Sequence, residues 1–270
     1  VNRSGISSAA RDDAGHADVR RVREALDPRI PALVHTEWAA ELPWVVQGTT
    51  TRGEGPTPFD LGLFSDGSPA EVVWRSWGRL IDATGMRSAV HARQVHGTEV
   101  RTHERRDAEP ANGLRLAPEC DGHVTSEQGV LLAVSAADCV PIFVVDPGAR
   151  AIAALHAGWR GVAAGVLERG LALLAAPSDR SELRVHFGPS ICGSCYEVGP
   201  EVFEALGLAA PRRPTPIDLR SVLARRAIEQ GVTREHVTIS EHCTLCTSSG
   251  LFSHRGGDLG RQVGYLGIRF

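Results

Sequence analysis

The chain has 270 residues, 42% of them hydrophobic and 23% charged, with 29 basic against 32 acidic side chains and a formal net charge of −3. This composition suits a soluble globular protein able to bury a core without staples, and it argues against disorder. It excludes bulk electrostatic attraction to nucleic acid, and six cysteines are too few for a disulfide-rich secreted scaffold. The first residues, VNRSGISSAARDDAGHADVRRVREALDPRIP, carry charges throughout and no apolar core, so no signal peptide is expected. No run of about 18 apolar residues appears, so no membrane span is expected either. The expectation is a cytoplasmic, reduced protein with neither a nucleic-acid nor a membrane partner.

Residues 1–30 read as a polar extension, with Val19, Val22 and Leu26 spaced for a short amphipathic helix over 17–27. From Pro43 a strand-like run, PWVVQGTTTR, enters the loop GEGPTP. EVVWRSWGRLIDATGM reads as a helix closed by Gly85. AVHARQVHGTEV looks like strands around a turn at Gly97, and 102–120 like an exposed loop. GVLLAVSAADCVPIFVVDP holds two short apolar runs bounded by turn signals, which read as buried strands. AIAALH predicts another strand, followed by the turn AGWRG and a helix of about 15 residues. LRVHFGPS, VTIS and the terminal YLGIRF are further strands. IDLRSVLARRAIEQG is a helix for which Thr215 can cap, Pro216 suits the first turn and Asp218 completes a capping box. Strands alternate with helices but hairpin-like pairs interrupt them, which favours an α/β domain with mixed sheets.

Three metal-ligand residue types lie at ends of these strands beside small turn residues: His96 in RQVHG, Cys139 in AADCVP and His156 in ALHAGWRG. Strand ends beside such turns are where open α/β folds place their sites. A thiolate and two imidazoles suit zinc, and three protein ligands leave a fourth position open, as at a catalytic zinc. The same residues also fit a Cys–His nucleophile pair, with Asp138 or Asp121 orienting the base. The bland alternative is a buried thiol and two hydrogen-bonded histidines. Cys192-x-x-Cys195 and Cys243-x-x-Cys246 could together form a four-thiolate structural zinc site, but 47 residues separate the pairs where a zinc ribbon uses about 15–20. Unpaired thiols are the plainer reading. Arg52, Arg160 and Arg255 each adjoin glycine, so guanidinium and backbone N–H groups could meet one anion. For any single one, a solvated surface arginine is the simpler account.

The stretches TTRGEG, RQVHGTEV, SAADCVPIFVVDP, ALHAGWRGVAAGVLERG, GPSICGSCYEVGPEVF, IDLR, Cys243-Thr244 and LFSHRGGDLGRQVG resemble, in the same order, the bacterial laccase-domain family. That family was once called multicopper polyphenol oxidases and is now described as purine nucleoside phosphorylases. The resemblance runs from about residue 43 to the end. It implies a single catalytic domain over 31–270, built of mixed sheets sandwiched by helices in an α/β/β/α layering. It also implies zinc on His96, Cys139 and His156, and phosphorolysis of adenosine, inosine and methylthioadenosine to base and ribose 1-phosphate. Adenosine deamination is implied as a side activity. The partners are then a nucleoside and phosphate, with Arg52, Arg160 and Arg255 as the expected substrate- and phosphate-binding residues. Where the family has Asn, this chain has Asp60; where it has Asn-Arg, Ser76-Trp77; and where it has paired arginines, Arg255-Gly256. An acid at Asp60 would weaken phosphate binding if it faced the ligand. The competing readings are a Cys–His hydrolase or amidase acting on cell-wall precursors and a nucleoside binder without turnover. A copper polyphenol oxidase fits least, because its paired-histidine patterns do not occur among the 11 scattered histidines.

Overall fold

The structure, a computed structural model, describes residues 19–104 and 113–270. The first strands are β1 (Arg20–Val22), β2 (Ala25–Leu26) and β3 (Ala32–Val34). Over residues 19–27 no part of the helix expected at 17–27 is formed, and residues 1–18 of the polar extension lie outside the described residues. β1 lies parallel to a strand more than 200 residues later, through pairs such as Arg20 with Thr238, and β2 pairs antiparallel with β3. Such long-range pairing leaves no local periodicity to read, and here it overrides a weak helical one. Helix α1 (Thr36–Glu41) precedes β4 (Val45–Thr50), the strand expected after Pro43. Helix α2 (Ala70–Thr84) ends as expected at Gly85, whose φ of +71° suits a residue without a Cβ.

The strands β5 (Ser88–Ala92) and β6 (Val100–His103) flank Gly97, but they do not pair with each other. Part of the expected 102–120 loop is strand β7 (Leu114–Ala117), parallel to β5; residues 105–112 lie outside the described residues. β8 (Gly122–Thr125), β9 (Val130–Ala136), β10 (Val140–Asp146) and β11 (Ala151–Ala157) follow. The single helix expected next is two: α3 (Trp159–Ala164) and α4 (Val166–Leu174), broken where Gly165 turns left-handed at φ +91°. After β12 (Arg184–Phe187), β13 (Glu197–Val198) and α5 (Pro200–Ala205) comes β14, the pair Thr215–Pro216, which binds β13. Thr215 and Pro216 therefore do not begin a helix. Asp218 alone caps α6 (Leu219–Glu229), accepting from Arg220 N. The chain closes with β15 (Val237–Ser240) and β16 (Gln262–Ile268).

Two seven-stranded sheets result, ordered β1-β15-β12-β10-β11-β8-β6 and β2-β3-β4-β16-β9-β5-β7. Both are mixed, as the interrupted alternation predicts. Leu132, Val134 and Leu266 from the second sheet meet Phe143, Val145 and Ile152 from the first in a dry layer between them. The outer face of the first sheet packs on α4 and α6, and that of the second on α2. The layering is thus α/β/β/α. Among its crossings between the sheets, the β5–β6, β7–β8 and β9–β10 connections meet at one end of the sandwich.

The departures near α2 lie within this framework. Asp60 is buried, and its carboxylate accepts from the backbone N–H groups of Gly62, Ser68 and Arg261, each at 2.9 Å. Trp77 is buried on α2 and donates Nε1–H to Leu61 O at 3.1 Å. Both residues hold the 59–68 loop, and Asp60 is spent on backbone amides. Asp60→Ala leaves three amides without an acceptor, and stability in urea unfolding is expected to fall by about 2 kcal/mol or more. An unchanged midpoint would show that the clamp contributes nothing.

Candidate metal centre and adjoining cavity

His96 sits on the β5–β6 connection, Cys139 on the β9–β10 connection and His156 on β11. The two crossovers and the neighbouring strand bring their ligand atoms within 4.8 Å of one another. Cys139 Sγ lies 3.8 Å from His96 Nε2, and the two histidine rings meet edge to face with centroids 4.8 Å apart. All three metal candidates are therefore in one place.

The buried carboxylate of Asp121, at the start of β8, organises them. It accepts N–H bonds from Val95 (3.2 Å), His96 (2.8 Å) and Gly97 (2.7 Å), which fixes the turn that carries His96. It also accepts from His156 Nδ1 at 2.9 Å. That bond occupies one ring nitrogen of His156 and leaves Nε2 for a ligand, the usual carboxylate–histidine support of a metal site. Of the two acids considered as orienting groups, Asp121 has the role. Asp138 instead accepts from Thr244 Oγ1 (2.5 Å) and Arg255 N (2.7 Å), tying the Cys139 corner to the 243–255 segment.

Two residues here hold a conformation that favours glycine: His96 has φ +59° and Asp138 φ +89°. Such strain collects where surrounding structure fixes a functional geometry. Gly158 faces the cluster, and a Cβ there would stand 2.6 Å from His96 Cδ2 and 3.1 Å from Cys139 Sγ. The space beside the ligands thus requires glycine. Donor chemistry, spacing and the Asp121 support all fit a borderline-soft divalent ion.

Charge follows the same geometry. Burial opposes ionisation of Cys139, but the facing His156 and His96 outweigh it and bring the thiol down to about 6. Burial likewise opposes protonation of His156, but Cys139 and Asp121 raise it to about 9. Between these values the metal-free pair is thiolate and imidazolium. A metal needs His156 neutral, so binding must expel one proton in that window. The apparent dissociation constant for zinc, measured against a competing chelator, is expected to fall about tenfold per pH unit from about 7 to 9. A flat profile would contradict this pairing.

The trio opens on a cavity of about 430 Å³, also lined by Phe64, His91, Arg93, Gln94, His254 and Arg261. His91 is held between Ala133 O (3.0 Å) and Ser135 Oγ (3.2 Å), and burial draws its pKa down to about 4, so the ring is neutral. Gln94 exchanges two hydrogen bonds with the Ser135 backbone at 2.7 and 2.8 Å. The three arginines singled out by their glycine neighbours do not line this cavity. Arg52 pairs with Asp258 at 2.7 Å and donates to Leu251 O at 2.8 Å. Arg160 is exposed and stacks over Trp159, and Arg255 reaches Glu197 O and the Tyr196 ring. The cavity's guanidinium groups belong to Arg93 and Arg261. Arg93 adjoins the QVHG motif, but only the β16 pairing brings Arg261 close, and spacing carried no sign of it.

The family model described as multi-copper polyphenol oxidoreductase laccase matches residues 47–269. The chain belongs to this family. A relative from Geobacillus stearothermophilus named purine nucleoside phosphorylase YlmD is 34% identical over 253 residues, covering 83% of this chain and 90% of that protein. A protein named adenosine deaminase RL5, from an unknown prokaryotic organism, is 38% identical over 150 residues, covering 50% of this chain and 56% of its own. The crystal structure of YlmD from Geobacillus stearothermophilus superposes with a TM-score of 0.81 at 28% identity, covering 92% of this chain and 99% of that one. The described residues contain no helix long and apolar enough to cross a membrane.

Asp121→Asn keeps the size but offers amide hydrogens to groups that are themselves donors. Metal affinity is expected to drop about 10–100-fold, with the fold retained by circular dichroism. Unaltered affinity would remove Asp121 from its organising role.

Proposed function

We propose that this protein is a zinc-dependent purine nucleoside phosphorylase. It converts adenosine, inosine and methylthioadenosine with phosphate to the free base and a ribose 1-phosphate, and deaminates adenosine as a side activity. The observation that carries this reading is the His96–Cys139–His156 trio opening on a cavity with an aromatic face and two guanidinium groups. The phosphorylase names of two relatives support the main reaction, and the adenosine deaminase name of a third supports the side activity.

Zinc in this donor set supplies Lewis-acid polarisation beside the substrate. The remaining steps belong to the chain. Phe64, 53% exposed at the cavity, offers a flat apolar surface to a purine. Neutral His91 and the fixed amide of Gln94 form a rigid polar wall. Arg93 and Arg261 bring positive charge for phosphate, whose oxygen attacks C1′ as the C–N bond breaks and the base leaves with the electron pair. Arg52 is assigned no phosphate contact, because it does not line this cavity and donates instead to Asp258 and Leu251 O.

A second reading rests on Cys139, His156 and Asp121 as a nucleophile–base–orienter chain. Chelation separates the two, since a thiolate hydrolase works without metal and the phosphorylase does not.

Chromatography of adenosine, inosine and methylthioadenosine reactions is expected to show free base only when phosphate and metal are both present. Arg93→Ala is expected to raise KM for phosphate about tenfold, equivalent to losing roughly 1.4 kcal/mol of binding. Base release that ignores phosphate, or none by metal-loaded protein, would refute the assignment.

A further inference from the structure

The four remaining candidate thiols lie apart from the reaction just described. β12 and β15 are adjacent and parallel, with Val185, His186 and Phe187 paired to Val237, Thr238 and Ile239, and α6 crosses between them. Their following loops consequently leave the sheet at the same end. An isolated parallel bridge between Ser190 and Cys243 extends the pairing into those loops. One loop carries Cys192 and Cys195, the other Cys243 and Cys246. The 47 residues between the pairs are taken up by the crossover, so the long sequence gap is no obstacle to their meeting.

The four sulfurs lie within 4.8 Å of one another, and all are free thiols. Cys192 Sγ and Cys246 Sγ are 3.7 Å apart. A tetrahedral ion with metal–sulfur bonds of about 2.3 Å separates its ligands by about 3.8 Å. Three backbone N–H groups point at the buried Cys243 sulfur: Cys192 at 3.3 Å, Leu245 at 3.4 Å and Cys246 at 3.5 Å. Amides directed at sulfur stabilise a thiolate over a thiol, which is the form a metal takes.

We propose that Cys192, Cys195, Cys243 and Cys246 hold a second zinc ion, structural and closed by four thiolates, that clips the loop after β12 to the loop after β15. Binding expels the thiol protons and leaves the zinc fully coordinated by sulfur. The clip bears on the first centre through covalent neighbours. Thr244, next to Cys243, donates to Asp138, next to Cys139, and Ile191, next to Cys192, donates its N–H to Asp138 O at 3.1 Å. The loops that fix the left-handed Asp138 are thereby held by the second ion.

The test is elemental analysis of the full chain purified without added metal. About two zinc ions per chain are expected in the wild type, and about one in both His96→Ala and the Cys195→Ser/Cys246→Ser double variant. Cobalt substitution adds a readout independent of activity. The intense thiolate-to-cobalt charge transfer of a four-sulfur site should persist in His96→Ala and disappear in the double cysteine variant. If the cysteine variant does not fold, the His96→Ala protein still decides the matter: one ion with the four-sulfur spectrum supports the clip, and no ion overturns it. A wild type with a single zinc lost in His96→Ala, or two disulfides among these cysteines by mass spectrometry, also overturns it.

Discussion

The centre depends on one buried carboxylate. Asp121 accepts from three successive backbone amides and from a histidine ring, so a single group fixes the turn carrying His96 and the orientation of His156. Its own pKa is lowered although burial opposes that, because His156 and the amides of Gly97 and Val95 stabilise the anion. A buried charge with every neighbour a donor is costly to disturb, since losing any partner leaves an unsatisfied group in a dry place. The positive φ of His96 is held open by those amides.

The topology explains why such a carboxylate can act on both histidines. Two sheets packed face to face need connections between them, and two of these crossovers leave short segments at the end of the sandwich that holds the site. One carries His96 and the other Cys139, while β11, beside β8 and Asp121, carries His156. Gly158 leaves the room the ligands need. The four cysteines repeat the principle at a smaller scale, with two parallel strands delivering two loops to one point.

Much of this was legible in the sequence, and the reasons are local. Short apolar runs bounded by turn residues marked β9, β10 and β11, and the ligands stood out because thiol and imidazole flank small residues at strand ends. Gly85 announced the end of α2 through the conformation that only glycine adopts easily. What stayed hidden was decided at long range. β1 is a strand because β15 offers it an edge, and Arg261 reaches the cavity because β16 lies beside β9. Glycine neighbours did not indicate where Arg52, Arg160 and Arg255 would point, because a long side chain follows its nearest carboxylate, carbonyl or ring. Asp60 looked like a charge added to a binding site, and only its three backbone partners reveal a clamp.

The central claim is that His96, Cys139 and His156 together hold one divalent ion under the control of Asp121. Its most direct test is diffraction from crystals of the protein purified without added metal, with data collected on both sides of the zinc absorption edge. The account predicts an anomalous peak bonded to His96 Nε2, Cys139 Sγ and His156 Nε2, with His156 Nδ1 on Asp121. A peak that leaves Cys139 or either histidine uncoordinated, or no peak at this corner of the sandwich, would contradict it.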